Sequence, residues 1–143
     1  MSAERNKEVV RRAMSLANSR DPDAAGECMA ADLRRNGAPT DRDAERMRDE
    51  FLGSAFPDLE YTEQDMVAEG DRVALRWRMT GTHTGELAGP TMTLPPFGRR
   101  LDIVGTSFYR LQDGLIHEVW ETLDLMDFRR QLGALDAPAA APD

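Results

Sequence analysis

The residue with the clearest chemical potential is an acidic side chain within an apolar strand pattern. Glu121 stands in Leu115–Leu123 (LIHEVWETL), a run that is otherwise typical of a largely buried β-strand. A carboxylate that faces an apolar interior is costly unless it is paired, hydrogen-bonded or protonated. The same surroundings can bring its pKa toward neutrality, where it can donate or accept a proton. Glu121 is therefore the main candidate acid/base group.

The preceding strand supplies polar side chains that can face Glu121. Side-chain alternation puts His117 and Glu121 on one face of the last strand, and Ser107 and Tyr109 on one face of the strand before it. A hairpin folded about Asp113-Gly114 brings Ser107 opposite Glu121. Ser107 is thus a second catalytic candidate, and Tyr109 and His117 are candidate substrate contacts. His117 lies about 13 Å from Glu121 along the strand, so a sheet-surface or interface position is the alternative for it.

Three further residues are candidate substrate contacts, each with a structural alternative. Trp77 lies on the apolar face of an alternating strand and can equally be a core aromatic. His83, in Thr82-His83-Thr84-Gly85, is placed near a strand end and suits a pocket lip or a structural hydrogen bond. Asp124 follows the last strand, where capping a helix is the alternative role.

The histidine and cysteine content predicts no metal site. The chain has two histidines and one cysteine, and the histidines fall on separate strands without the spacing of a ligand pair. Cys28 alone also excludes an internal disulfide framework.

The first third of the chain has the periodicity of helices. Apolar residues at helical spacing predict a helix over residues 4–19, and Asp21-Pro22 starts a short Ala-rich helix over 22–31. Thr40 or Asp41 can cap a third helix. The apolar face expected for that helix carries Ala44, Met47, Phe51 and Leu52.

The remainder of the chain has the alternation of strands. Extended segments are predicted over 59–68, 73–83, 101–111 and 115–123, with a loop over 85–98 and a closing helix over 125–132. Three helices followed by an antiparallel meander indicate the α+β class. A twisted sheet of this kind curls, and helices laid over its concave side enclose a conical cavity. Residues 1–133 form this single domain, and the Ala- and Pro-rich tail 134–143 is expected to be disordered.

Charge and hydropathy exclude several classes of partner. The 143 residues carry a formal charge of −8, which is unfavourable for binding nucleic acid. No stretch approaches the length of a membrane span, so no membrane association is expected. The charged N-terminus MSAERNKEVV lacks the apolar region of a signal peptide, and the cytoplasm is the expected location.

Several motifs together resemble the SnoaL-like polyketide cyclase family, within the superfamily typified by nuclear transport factor 2. The similarity extends from about residue 5 to residue 133, with a longer loop over 88–93. The motifs are Phe56-Pro-Asp-Leu-Glu-Tyr, Glu69-Gly-Asp-Arg-Val-Ala, Met79-Thr-Gly-Thr-His-Thr-Gly-Glu-Leu, Pro95-Pro-Phe-Gly-Arg-Arg, Tyr109-Arg-Leu-Gln-Asp-Gly and Arg130-Gln-Leu-Gly.

The resemblance implies a cone-shaped α+β barrel with an internal cavity, commonly a homodimer or higher homo-oligomer. It also implies a cofactor-independent tailoring enzyme of aromatic polyketide, and hence antibiotic, biosynthesis. Cyclases of the family use an aspartate on the last strand in an aldol ring closure, and that position falls on Glu121. Their assisting histidine falls on Ser107, which cannot titrate near neutrality. A second acid of the family matches Asp124.

Four functions compete at this stage. Aldol-type cyclisation with Glu121 as acid/base is the leading hypothesis. A hydroxylase branch of the family, working with a separate reductase, is the alternative that Ser107 favours. A non-catalytic binding or assembly module would have a blocked cavity or a solvent-facing Glu121. Epoxide hydrolysis, which related barrels perform, would need an arginine between two inward carboxylates, and strand parity offers none.

Overall fold

The computed structural model describes residues 2–88 and 93–133. Within them it contains four helices: α1 (Ala3–Asn18), α2 (Pro22–Gly26), α3 (Arg42–Ala55) and α4 (Leu125–Gln131). The strands are β1 (Met29–Arg35), β2 (Ala38–Pro39), β3 (Glu60–Glu69), β4 (Arg72–Thr82), β5 (Leu87–Ala88), β6 (Thr93–Leu94), β7 (Arg100–Gln112) and β8 (Leu115–Leu123). The predicted tail 134–143 lies outside the described residues. None of the helices in the described ranges is long and apolar enough to cross a membrane.

Six strands form one curved sheet, in the order β2-β1-β8-β7-β4-β3, and the sheet does not close on itself. Strands β3, β4, β7 and β8 make the predicted antiparallel meander, whereas β1 runs parallel to β8. Helix α1 packs against β3 and β4, and α3 contacts β1. The α+β class and the cavity-forming arrangement are therefore confirmed, with a larger sheet than the sequence predicts.

Local sequence explains where the helices begin. The Ser2 hydroxyl accepts a hydrogen bond from the Arg5 amide at 3.2 Å, which caps α1. The Asp41 carboxylate accepts one from the Ala44 amide at 2.8 Å, which caps α3. Val10 of α1 is buried in the core, so capping and one apolar stripe are enough to fix the helix against the sheet.

The prediction of helix over residues 22–31 is wrong beyond Gly26. Residues from Met29 onward form β1, which hydrogen-bonds to β8. Asn36 and Gly37 have φ of 52° and 83° and turn the chain into β2, the geometry that Asn-Gly favours in a hairpin. Tertiary pairing thus overrides the helix propensity of the alanines.

The predicted apolar face of α3 is only partly correct. Met47 is 64% exposed and Ala44 faces solvent, whereas Glu45 is buried. Glu45, Arg48 and Asp49 recur at helical spacing, so they form a charged stripe on the face that meets the sheet.

A bulge in the last hairpin changes the face of His117. Arg110 pairs with Glu118 but Leu111 pairs with Ile116, so one extra residue stands in β8. Ile116 is consequently buried in place of His117. The predicted common face of His117 and Glu121 is wrong for this reason.

Candidate active site

A cavity of about 90 Å³ lies between the helices and the concave face of the sheet. Its walls are mostly apolar, with charged groups at one end. The lining side chains are Ala13, Met14, Ala17, Ala25, Met29, Leu33, Arg35, Glu45, Arg48, Asp49, Tyr61, Leu75, Trp77, Ser107, Tyr109, Ile116, Val119 and Glu121.

Glu121 points into this cavity, as predicted, and it is held by two arginines. Its side chain is 15% exposed. Arg35 Nη1 donates to Oε2 at 3.0 Å, and Arg48 Nη2 donates to Oε1 at 2.7 Å. Burial raises the pKa of Glu121, but Arg48 and Arg35 more than offset this and leave the pKa below its ordinary value. The carboxylate is therefore ionised at neutral pH.

Arg35 bridges two carboxylates. Besides Glu121, it binds Glu45, with Nε to Oε1 at 2.8 Å and Nη2 to Oε2 at 2.7 Å. Burial alone would lower the pKa of Arg35, but Glu45 and Glu121 raise it, so this cation is permanent. The expectation that no arginine lies between two inward carboxylates is wrong, because residues 29–35 form a strand beside β8 and Arg35 is the last residue of that strand.

The turn after β1 fixes the backbone at Glu121. The Asn36 side-chain oxygen accepts a hydrogen bond from the Glu121 amide at 2.8 Å, and the Asn36 amide donates to the Val119 carbonyl at 2.9 Å. Arg35 is thereby placed beside the acid that it binds. The Asn-Gly turn is thus part of how the fold positions the site.

Ser107 lies directly across from Glu121 in the β7–β8 ladder, as predicted. Its buried hydroxyl accepts a hydrogen bond from Trp77 Nε1 at 2.9 Å and contacts the hydroxyl of Tyr109. Burial raises the pKa of Tyr109, so its phenol stays protonated. Trp77, Ser107 and Tyr109 all line the cavity with Glu121.

The other predicted contacts lie elsewhere. His83 is fully buried between the rings of Phe56 and Phe97. Its ring nitrogens have no hydrogen bond of ordinary geometry within the described residues, beyond a weak approach to the Gly85 backbone. Asp124 caps α4 by accepting from the Asp127 amide at 2.9 Å. Like His117, neither lines the cavity that holds Glu121.

Four charged residues of the site were not singled out from the sequence. Arg35, Glu45, Arg48 and Asp49 all line the cavity with Glu121. The spacing of Glu45, Arg48 and Asp49 beside the apolar Leu52 was the available signal. Arg35 gave no such signal until its strand was known.

A second chamber adjoins the first. It has a volume of about 190 Å³ and shares Arg48, Tyr61, Trp77 and Glu121 with the cavity already described. Phe51, Leu87, Leu123 and Phe128 are among its apolar walls. Glu121 and Arg48 therefore stand between two chambers.

Comparison with known proteins identifies the family. The profile of the SnoaL-like polyketide cyclases matches residues 7–132. The chain belongs to this family. A comparison with curated proteins found no match.

Solved structures of similar proteins agree with the SnoaL-like fold. AclR, a proposed hydroxylase from Streptomyces galilaeus, has a TM-score of 0.81 at 26% identity, covering 97% of this chain and 86% of that one. IdmH, a proposed polyketide cyclase from Streptomyces antibioticus, has a TM-score of 0.77 at 28% identity, covering 90% and 98%. TsrD from Streptomyces laurentii has a TM-score of 0.81 at 26% identity, covering 94% and 98%.

Proposed function

We propose that this chain is a cofactor-independent tailoring enzyme that closes a ring of an aromatic polyketide. The observation that carries this is the Glu121 carboxylate, which lines a mostly apolar cavity and is held by Arg35 and Arg48, whose charges keep its pKa below its ordinary value. Membership of the SnoaL-like polyketide cyclase family supports the substrate class. A carboxylate that faces an apolar cavity and is ionised at neutral pH can take a proton from an acidic carbon.

In this proposal Glu121 removes a proton from a carbon beside a carbonyl, and the resulting enolate carbon attacks a second carbonyl. Arg48 uses one nitrogen for Glu121, and its guanidinium also borders both chambers. The guanidinium and the protonated phenol of Tyr109 are the donors that can stabilise the enolate oxygen. A flat ring system that spans both chambers would place its reacting carbons beside Glu121.

The test is turnover of polyketide intermediates by Glu121→Gln. Purified protein is incubated anaerobically with a panel of unclosed anthracycline-type intermediates, and ring closure is followed by chromatography and mass spectrometry. Because glutamine cannot accept the proton, kcat is expected to fall by at least about 100-fold. The control is Glu60→Gln, at an exposed position of β3 whose side chain has no hydrogen bond or ion pair within the described residues. Full turnover by Glu121→Gln would exclude the role proposed for this carboxylate.

Hydroxylation is the second candidate, favoured by the similarity to AclR. Ser107, which engages Trp77 and Tyr109, leaves no titrating partner on β7 opposite Glu121. A second incubation therefore contains oxygen and a nicotinamide-dependent reductase. A product one oxygen heavier, formed only in that incubation, would favour the hydroxylase over the cyclase.

The Glu45–Arg35–Glu121 bridge gives a reason to include an epoxide in the panel. An arginine between two inward carboxylates is the arrangement that epoxide hydrolysis would need. Opening of the epoxide by water, without ring closure of the polyketides, would select this function. The inward Glu121 and the open cavity count against a non-catalytic binding module.

We also propose that the protein is a homodimer joined through the outer face of the sheet. Four large apolar side chains are exposed there: Val67, Val104, Phe108 and Trp120. Phe108 pairs with Trp120 and with Ala74, which in turn pairs with Val67, so these three exposed side chains form one patch. Val104 lies farther along β7 and pairs with Arg78. Contiguous apolar patches of this kind mark association surfaces.

A further inference from the structure

Asp49 is the third carboxylate that lines the cavity, beside Glu45 and Glu121. It lies on α3, one helical turn after Glu45. Its side chain lines the inner cavity together with Glu121. It also lines a groove on the outside, between α1 and α3, whose walls include Ala17 and Leu59.

Asp49 differs from the other two carboxylates of the cavity in having no partner. Glu45 is bound by Arg35, and Glu121 by Arg35 and Arg48. Asp49 makes no hydrogen bond and no ion pair within the described part of the chain. Among the described residues, the cavity thus has three carboxylates but only two guanidinium groups. Both guanidinium groups bind Glu45 or Glu121, and neither binds Asp49.

The charges around Asp49 favour a proton on it. Burial raises the pKa of Asp49, Arg48 and Arg35 lower it, and Glu45 and Glu121 raise it; the result lies above the ordinary value. Tyr61, on β3, also faces the group. Within one cavity the pKa of Asp49 is thus shifted upward and that of Glu121 downward, which are the directions expected of a proton donor and a proton acceptor.

We infer that Asp49 is the proton donor of this site and works with Glu121 as the proton acceptor. This inference rests on the proposed function. It adds a second catalytic residue, on a helix rather than on the sheet.

Asp49 and Glu121 together account for both proton transfers of the ring closure. Glu121 takes a proton from the carbon, and the C–H electrons form the enolate. The enolate carbon forms a C–C bond to the second carbonyl carbon, whose π electrons move to its oxygen. Asp49 gives its proton to that oxygen and produces the hydroxyl of the aldol product. Glu121 ends protonated and Asp49 ionised, with no other reactant consumed.

The outer groove gives Asp49 a route by which it can regain a proton from solvent. Asp49 lines the groove as well as the cavity, so water in the groove can reprotonate it. Glu121 releases its proton as product leaves, because Arg35 and Arg48 favour the ionised form. The net exchange with solvent is zero.

The experiment is the pH profile of kcat/KM for wild type, Asp49→Asn and Asp49→Glu, with Asp32→Asn as control. Asp32 is an exposed residue of β1 without a resolved partner, so its variant loses the same charge away from the cavity. Asparagine keeps the shape and neutrality of the protonated acid but cannot transfer a proton. We expect the wild-type profile to decline on its alkaline side as Asp49 loses its proton, and Asp49→Asn to lose 10- to 100-fold in rate together with this decline. Asp49→Glu should regain part of the rate and the decline.

A direct titration keeps this inference separate from the proposed function. Carboxyl resonances of ¹³C-labelled wild type, assigned with the two variants, should show Asp49 titrating above Glu121. Asp49 titrating at or below Glu121, or Asp49→Asn with an unchanged alkaline limb, would overturn the inference while ring closure by wild type still stands. Absence of turnover by wild type on the whole panel would instead overturn the proposed function, and the donor role with it.

Discussion

At the scale of single residues, the pKa values of two carboxylates of one cavity are shifted in opposite directions by their neighbours. Arg35 and Arg48 both donate hydrogen bonds to Glu121, whereas the side chain of Asp49 has no such partner within the described residues. Burial raises the pKa of both groups, and only for Glu121 do the arginines prevail. The direction of each shift therefore depends on hydrogen-bonded cations and not on depth alone.

The inward direction of Glu121 and its pairing with Ser107 could be predicted from strand parity, because alternation is a local property. Burial of an acid predicts a raised pKa, and the sequence does not show that the pKa of Glu121 is lowered instead. Its two arginines come from positions 86 and 73 residues away. Only tertiary structure brings such charges together.

The first prediction concerns acid unfolding. The pKa of Glu121 is lower in the folded protein, so its contribution to stability is present above its unfolded pKa, about 4.3, and is lost as the pH falls through the folded value. Glu121→Gln should lower the free energy of unfolding by about 3 kcal/mol at pH 7. It should also flatten the fall of stability below about pH 5. Urea unfolding at a series of pH values measures both.

The control for this prediction is Glu60→Gln, whose carboxylate is exposed and has no partner in the described structure. It should keep the stability of wild type and its slope with pH. A Glu121→Gln variant with the wild-type pH dependence would show that the arginine pairs do not stabilise the fold.

At the scale of elements, two departures from the sequence predictions placed the site. Residues 29–31 belong to β1 rather than to α2, and the pairing of β1 with β8 at Met29, Arg34 and Arg35 delivers Arg35 to Glu121. The bulge in β8 buries Ile116 and removes His117 from the cavity face. Pairing partners and bulges arise from distant segments, whereas the caps of α2, α3 and α4, at Asp21, Asp41 and Asp124, follow from local sequence.

The β4–β7 ladder shapes the cavity wall through a glycine. Gly105 pairs with Trp77, and a Cβ built on Gly105 would lie 2.2 Å from the indole ring. The indole therefore lies over the backbone of β7, where its Nε1 reaches Ser107. No other residue type at position 105 leaves room for this position of Trp77.

The second prediction concerns the packing of Trp77 against Gly105, tested with Gly105→Ala. The added methyl should displace Trp77 and break its hydrogen bond to Ser107, which lowers the free energy of unfolding by about 2 kcal/mol. Near-ultraviolet circular dichroism and tryptophan fluorescence should change with it. Thr106→Ala, at the adjacent outward position, is the matched control. An unaltered tryptophan signal in Gly105→Ala would contradict the packing role of this glycine.

At the scale of the whole molecule, the sequence predicted the architecture better than the site. Alternating strands and capped helices were sufficient for the α+β class and a cavity under the helices. The charged network was missed because α3 was assigned an apolar inner face. Its polar stripe is stable only because Arg35 and Glu121 meet it from the sheet.

The third prediction concerns the proposed dimer. Phe108→Asp places a charge in the centre of the outer apolar patch, and burying that charge at an interface is costly. Light scattering after gel filtration should show a dimer for wild type and a monomer for the variant. Met47→Asp, at an exposed position of α3, should remain dimeric. A monomeric wild type, or a dimeric Phe108→Asp, would exclude this interface.

The connection between β4 and β7 divides the charges of the site. Arg35, Glu45, Arg48 and Asp49 precede it, and Glu121 follows it. Consider a chimera that joins the first half of this chain to the second half of a relative. In it, Arg35 and Arg48 would contact the residue that the relative carries at position 121. Recombination among members of this family is thus limited at this point by the match of charge between halves, before any question of core volume arises.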